Sequence, residues 1–150
     1  MATLAPGDIV EIQTGGGLAY VLVTHLHSSY PPVVKALPGL FNMRPVDLCA
    51  LAAKQAAFTA MIPLSSALSR LGVTAEVVDH AEIPTADQAF PTFRMPIRDK
   101  RGEIVYWWLW DGESLRYDVE LDAAQSDLPL REVLSAERFL KQLIETGARH

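Results

Sequence analysis

The feature that most constrains this chain is an aromatic strand pattern that leads into a tight turn. Residues 104–110 read IVYWWLW and contain all three tryptophans of the sequence. Asp111-Gly112 follows, a pair that tolerates the positive backbone dihedrals of a tight hairpin turn. Residues 115–121 read LRYDVEL, with apolar side chains at every second position. The segment therefore predicts an antiparallel hairpin near the end of the chain.

Alternation divides the aromatic side chains of this hairpin between two faces. Tyr106, Trp108 and Trp110 project to one side of the strand, whereas Trp107 and Leu109 project to the other. We expect core packing to cover at least one face, because each ring buries a large apolar area. Tryptophan and tyrosine are also common anchors of protein interfaces. Trp108 and Trp110 are therefore candidate binding residues, with a purely structural role as the alternative.

A second hairpin is predicted near the start of the chain. Residues 8–13 and 18–27 have the composition of strands, and Gly15, Gly16 and Gly17 lie in the turn between them. The second strand carries apolar residues on both faces, which predicts a central strand covered on both sides. A phosphate-binding loop is disfavoured, because the glycines lead into a strand and lack the G-x-G-x-x-G spacing.

Shorter elements are predicted between the two hairpins and after them. Three apolar runs predict strands at residues 33–37, 58–64 and 73–83. One short helix is expected to open at Arg44-Pro45 and another to be capped by Ser65. Residues 84–96 contain three prolines and predict an extended crossing. Ser135 is predicted to cap a C-terminal helix with four large apolar residues at helical spacing: Phe139, Leu140, Leu143 and Ile144.

Together these elements predict an α+β fold. We expect a mainly antiparallel, strongly twisted sheet or a partly open barrel, with the C-terminal helix and two short helices packed on it. The chain has 150 residues, which is a usual length for one domain. We therefore expect residues 1–150 to form a single globular domain.

The composition of the chain limits the kinds of molecule that it is expected to bind. The net charge is −5 and the basic residues are scattered, which disfavours nucleic acid, because that affinity depends on clustered Lys and Arg. We expect no N-terminal signal peptide, and the sequence has no apolar run long enough to span a bilayer. A single cysteine excludes an internal disulfide. We expect a cytoplasmic protein that does not engage membranes and whose acidic balance suits a basic partner.

Candidate catalytic groups lack the partners that their chemistry requires. Cys49 lies in an apolar helical run and is predicted to belong to the core, and Ser65 lacks the G-x-S-x-G context of a strained nucleophile. His25 and His27 face the same way on a strand, which is compatible with metal ligation, but no spacing identifies a third ligand. We expect no catalytic residue, no metal and no cofactor. A small metal-dependent hydrolase that uses His25 and His27 stays open as an alternative.

A small-ligand-binding module is a further alternative. Its pocket would lie between the aromatic strand and the crossing at residues 84–96, since apolar cavities with a few polar groups are the usual ligand sites. Arg94 and Arg98 would then hold an anionic group of the ligand.

Several strings near the N-terminus resemble a known family. Gly7 to Ile12 (GDIVEI), Gly17 to Tyr20 (GLAY) and Thr24 to His27 (THLH), with Tyr30 soon after, resemble the opening of the bacterial immunity-protein family numbered twenty-six. The resemblance implies a non-enzymatic protein that neutralises a toxin exchanged between bacteria. An acidic inhibitor of this kind is steered toward a basic toxin domain. The candidate binding residues are Tyr20, His25, His27, Tyr30, Arg94, Trp108 and Trp110.

Overall fold

The computed structural model of the chain describes residues 3–126, 128–129 and 135–148. Within them lie eight strands: β1 (Asp8–Thr14), β2 (Gly17–His25), β3 (Val33–Ala36), β4 (Phe58–Met61), β5 (Ala75–His80), β6 (Phe93–Arg98), β7 (Ile104–Trp110) and β8 (Leu115–Asp118). The same residues contain four α-helices: α1 (Leu48–Ala52), α2 (Leu64–Arg70), α3 (Ala123–Ser126) and α4 (Ala136–Gly147). All strand pairs are antiparallel, which confirms the α+β class with antiparallel sheets.

The chain divides into two compact units. The first comprises residues 1–88 and 133–150, and the second comprises residues 89–132. Each unit has its own sheet, whereas the sequence analysis predicted a single sheet. The expectation of a single domain stays a prediction.

The first unit is built on a five-stranded sheet in the order β4-β3-β2-β1-β5. β2 is central, as predicted, and β4 and β5 lie at opposite edges, so the sheet is open. The partly open barrel that the sequence left as an alternative is therefore wrong. Pro63 follows edge strand β4, where a missing N–H costs no ladder hydrogen bond.

Both faces of this sheet are covered. Val21 of β2 packs in one apolar cluster with Leu68 of α2 and Phe139 of α4. Leu22 lies on the opposite face, in a second cluster with Leu51 of α1. Each cluster removes side chains almost fully from water, and the hydrophobic effect of that burial holds the helices on the sheet.

The helix starts differ from two of the three predictions. Ser135 caps α4 by accepting a hydrogen bond from the Arg138 N–H, as predicted. Helix α1 begins only after Asp47, because that carboxylate accepts from the Ala50 N–H at 2.9 Å and caps the helix there. Ser65 is not a cap: the Ala67 N–H already bonds to the carbonyl of Pro63 at 2.9 Å, so α2 starts before the serine.

The second unit contains a three-stranded sheet in the order β6-β7-β8. The predicted hairpin of β7 and β8 is confirmed, although β8 ends at Asp118 and not at residue 121. Strand β6 was missed, because its Pro96 and the two earlier prolines favoured an irregular crossing. A short 3₁₀ turn at Thr85–Asp87 occupies the beginning of that crossing. In the described part of the chain, no helix has the length and apolarity needed to cross a bilayer.

Candidate functional site

The register of the three-stranded sheet places most of its aromatic rings on one side, here called the aromatic face. Met95 of β6 is paired with Trp108 of β7, which is paired with Tyr117 of β8. Residues directly opposite one another share a face. The aromatic face therefore consists of the following residues: Phe93, Met95, Ile97, Tyr106, Trp108, Trp110, Leu115 and Tyr117. This confirms the predicted division of the β7 side chains between two faces.

One end of the aromatic face is a packed core. Phe93 is fully buried and Trp110 is only 6% exposed. The ring of Phe90 lies edge-on to Trp110, with 5.4 Å between the centroids. Phe90 also touches the turn, because a Cβ at Gly112 would lie 2.8 Å from its Cδ1 atom. Phe90, Phe93 and Trp110 thus pack against one another, so Trp110 serves packing. The small-ligand alternative stays a prediction.

The other end of the aromatic face is open. Tyr106, Trp108 and Tyr117 stand edge-to-face in a triangle, with centroid separations of 5.9 to 6.1 Å. With two valines they line a cavity of about 290 Å³, which we call the aromatic groove: Val105, Tyr106, Trp108, Tyr117 and Val119. Tyr117 is 65% exposed and Val119 is 69% exposed. Edge-to-face contacts favour this relative orientation of the three rings.

Arg94 lies on the opposite face of the same sheet, where it contacts Trp107 and Leu128. Its guanidinium lies over the ring of Trp107, with 5.1 Å from Cζ to the centroid. Its Nε donates to the carbonyl of Leu128 at 2.7 Å. Arg98 likewise donates to the carbonyl of Gly102 at 2.7 Å. The predicted anion-holding arginines therefore bond to backbone carbonyls of their own unit, and Arg94 lies on the face opposite the groove.

The histidines predicted as binding residues lie at and beyond the end of β2 in the first unit. His25 Nδ1 is 2.9 Å from the Thr24 hydroxyl, and its Nε2 is 2.9 Å from the carbonyl of Gln88. His27 Nδ1 accepts from the Ser29 N–H at 3.0 Å, and its ring lies 5.1 Å from that of Tyr30. The structure brings His27 and Tyr30 together, and it gives His25 a different set of partners.

Within the described residues, no metal-ligating cluster accompanies these histidines. Groups of three or more His, Cys, Asp or Glu with suitable geometry are absent from the described residues. Other residues with ligating side chains are already paired: His80 with Asp8 at 3.1 Å, and Glu11 with Arg44 at 2.8 Å. A catalytic zinc site usually needs three protein ligands, so the metal-dependent alternative lacks its donor set in this part of the chain.

Tyr20 is not a surface residue. It is fully buried, and its hydroxyl donates to Glu11 Oε2 at 2.7 Å. Arg44 binds the same carboxylate through Nε at 2.8 Å. The hydrogen bond from Arg44 holds the pKa of Glu11 below its usual value, while burial and the bond to Glu11 raise the pKa of Tyr20. The Glu11 carboxylate thus binds the neutral Tyr20 hydroxyl on its buried side and the Arg44 cation on its solvent side. Tyr20 has no exposed surface for direct contact with a partner.

The positions of two residues of the first unit, Cys49 and Lys35, were not predicted from the sequence. Cys49 is exposed, so its predicted place in the core is wrong: it lies on the outer side of α1, while Leu48 and Leu51 face inward. Lys35 is buried in β3 and donates to Asp87 at 2.7 Å and to the carbonyl of Ala52 at 2.8 Å. Nothing in the local sequence identifies these partners, because Asp87 lies 52 residues and Ala52 lies 17 residues from Lys35.

Among the predicted binding residues, only Trp108 lines the aromatic groove. Tyr106, Tyr117 and Val119 line the groove but are not among the predicted binding residues, because alternation does not tell which apolar side chains are covered. For Tyr117, the signal is its place on β8: this is the last strand of a three-stranded sheet, and an edge strand lacks a neighbour on one side.

Comparison with known proteins gives no relative: no family model matches the chain, and neither the curated proteins nor the solved structures contain a significant match.

Proposed function

We propose that this chain is a non-enzymatic binding protein that holds a basic protein partner in the aromatic groove. In its specific form, the proposal is an immunity protein that neutralises a bacterial toxin domain, as the resemblance of the N-terminal strings implies. The observation that carries the proposal is the open triangle of Tyr106, Trp108 and Tyr117 on a preformed sheet.

Exposed hydrophobic side chains are concentrated around the groove. Ten large hydrophobic residues are exposed in the described part of the chain, and five of them fall within sixteen residues: Ile104, Val105, Leu115, Tyr117 and Val119. Single exposed apolar residues are normal on protein surfaces, but a contiguous group with aromatic rings is typical of interaction sites. Such a surface gains free energy when a partner removes it from water. The clustering therefore supports docking at this sheet.

Charge favours a basic partner. Asp111, Glu113 and Glu120 are exposed at the turn before β8 and just after its end. Hydrogen bonds from the N–H groups of Ser114 and Glu113 hold the pKa of Asp111 below its usual value, so this carboxylate is negative at neutral pH. Together with the net charge of −5, these groups speed encounters with a positively charged surface.

The test uses the product of the gene adjacent to this one, co-expressed and purified with the chain. Isothermal titration calorimetry is expected to show binding that Tyr117→Ala and Trp108→Ala each weaken by about 30-fold or more, the range of interface hot spots. Val46→Ala is the control, since Val46 is a still more exposed apolar residue but lies in a loop of the first unit. Circular dichroism of each variant checks that it folds.

Two results would contradict the proposal. One is the absence of binding between the purified proteins at high micromolar concentration. The other is an equal affinity of Tyr117→Ala and Val46→Ala, which would place the interface elsewhere. The salt dependence adds an independent readout, since the association rate is expected to fall as ionic strength rises.

A further inference from the structure

The two edges of the second unit's sheet differ in their capacity to accept another strand. On the outer edge of β6, the Arg94 N–H donates to the carbonyl of Pro129 at 2.8 Å. Backbone groups alternate in direction along a strand, so Pro96, two residues on, also faces outward, where it has no N–H to offer. Residues 128–129 and a proline thus close this edge.

Among the described residues, none hydrogen-bonds to the outer edge of β8. The Asp111 N–H donates to the carbonyl of Ser114 across the turn, so these two residues form a hydrogen-bonded pair. Alternation from that pair directs the backbone of Arg116 and Asp118 toward β7. The N–H and C=O groups of Leu115 and Tyr117 therefore point away from the sheet. No strand within the described residues pairs with them.

We infer that β8 pairs with β8 of a second copy of this chain, antiparallel and with the two-fold axis at Tyr117. The two three-stranded sheets then become one six-stranded sheet. This self-association goes beyond the proposed function and does not depend on it, because it is argued from the backbone edge and the charges of β8. Tyr117 and Val119 belong both to this edge and to the aromatic groove.

The side chains of β8 are self-complementary in this register. Arg116 lies opposite the second copy's Asp118, and the same pair recurs on the other side of the axis. Leu115 likewise lies opposite the second copy's Val119. Opposite charges directly across two strands stabilise the pairing, and like charges destabilise it. An axis at Arg116 would oppose two arginines and an axis at Asp118 two aspartates, so the axis at Tyr117 is favoured.

The apolar side chains at this edge gain cover from the second copy. Leu115, Tyr117 and Val119 are 51%, 65% and 69% exposed. All three follow one another at every second position, so they meet their counterparts on the same side of the joined sheet. A strand pair of this length covers less than a standard interface, so the dimer is expected to be weak and concentration-dependent.

Sedimentation velocity from about 10 µM to about 1 mM protein tests the pairing over the concentration range of weak association. The wild-type chain is expected to dimerise. Arg116→Asp creates two like-charge pairs and is expected to raise the dimer Kd roughly tenfold or more. The double variant Arg116→Asp/Asp118→Arg restores both opposite-charge pairs and is expected to recover the dimer. Arg101→Asp, an equal charge change in an exposed turn of the same unit, is the control.

A cross-link provides a second measurement that does not depend on the charge variants. In a Cys49→Ser background, Tyr117→Cys places two thiols at the axis, where Cα atoms about 5.5 Å apart permit a disulfide. Mild oxidation is expected to yield a covalent dimer much faster than Arg101→Cys does in the same background. A wild-type chain that stays monomeric at about 1 mM would overturn the inference. So would equal cross-linking of the two cysteine variants or a double charge swap that fails to recover the dimer.

Discussion

Arg44 donates two hydrogen bonds to the carboxylate of Glu11, from Nε at 2.8 Å and from a terminal nitrogen at 3.3 Å. Glu11 is 5% exposed and lies on β1, whereas half of the Arg44 side chain is exposed. The guanidinium therefore covers a buried carboxylate from the solvent side. Tyr20 completes the site from within the core.

This arrangement predicts a stability that depends on pH in the acid range. The pKa of Glu11 is lower in the folded chain than its usual value of 4.5, so the unfolded chain binds more protons in this range. The contribution of Glu11 to the free energy of unfolding is full above the unfolded pKa and is lost as pH falls through the folded pKa. Urea unfolding at a series of pH values measures it. Glu11→Gln is expected to flatten the acid slope, and an unchanged slope would assign the dependence to other carboxylates.

Tyr20→Phe is expected to lower the free energy of unfolding by about 1–2 kcal/mol, because it removes a buried hydrogen bond to a charged acceptor. The ring and its packing against Phe41 are kept. Tyr117→Phe is the matched control, since that hydroxyl belongs to an exposed side chain, and a change within about 0.5 kcal/mol is expected. Chemical denaturation measures both. Equal effects would mean that the Tyr20 hydroxyl contributes nothing specific.

The sequence predicted elements with a strong local signal and missed those that depend on distant partners. The hairpin of β7 and β8 and the central strand β2 were predicted correctly, because alternation and turn residues act over a few positions. Strand β6 was missed, since only its place at a sheet edge makes Pro96 acceptable. The partners of Glu11 and Lys35 lie far along the chain, and no periodicity relates them.

The candidate site was predicted only in part, for the same reason. The division of rings between the faces of β7 followed from alternation, and the structure confirms it. Which rings are buried depends on Phe90 and on the end of the sheet. Trp110 lies under Phe90 and is buried, whereas Tyr117 lies on the last strand and is exposed.

A side chain at Gly112 is expected to destabilise the turn between β7 and β8. The φ of +97° at Gly112 is unfavourable for other residues, and a Cβ there would also meet the ring of Phe90 at 2.8 Å. Gly102 has a φ of +83° but nothing within 4 Å, so Gly102→Ala isolates the backbone strain. Gly112→Ala should cost roughly 1–3 kcal/mol more than Gly102→Ala, the range of overpacking. Tryptophan fluorescence follows unfolding of this unit, because all three tryptophans lie in β7.

Leu143→Ala is expected to destabilise the first unit by about 2–5 kcal/mol, the usual cost of truncating a buried leucine. Leu143 is 3% exposed and packs in the cluster that holds α4 on the sheet. Glu145→Ala, on the exposed side of the same helix, is expected to change stability by about 0.5 kcal/mol or less. Unfolding followed by circular dichroism at 222 nm distinguishes the two. A small effect of Leu143→Ala would mean that α4 contributes little to the core.

The ion pair of Lys35 and Asp87 is expected to respond asymmetrically to removal of its two members. The Lys35 side chain is 4% exposed and the Asp87 side chain is 28% exposed. Asp87→Asn leaves a buried ammonium without its carboxylate, bonded to the Ala52 carbonyl. It is expected to cost about 2–4 kcal/mol, somewhat below the range for fully buried pairs.

Lys35→Met replaces the ammonium with an apolar group of similar length, and water can still reach Asp87, so a cost of about 0–2 kcal/mol is expected. Denaturant unfolding of the two single variants and of the double variant gives the coupling between the side chains. If Lys35→Met proved the more harmful change, the desolvation argument would be wrong. Lys35 would then act chiefly by linking two elements: it donates one hydrogen bond to Asp87 in the 3₁₀ turn and one to Ala52 at the end of α1.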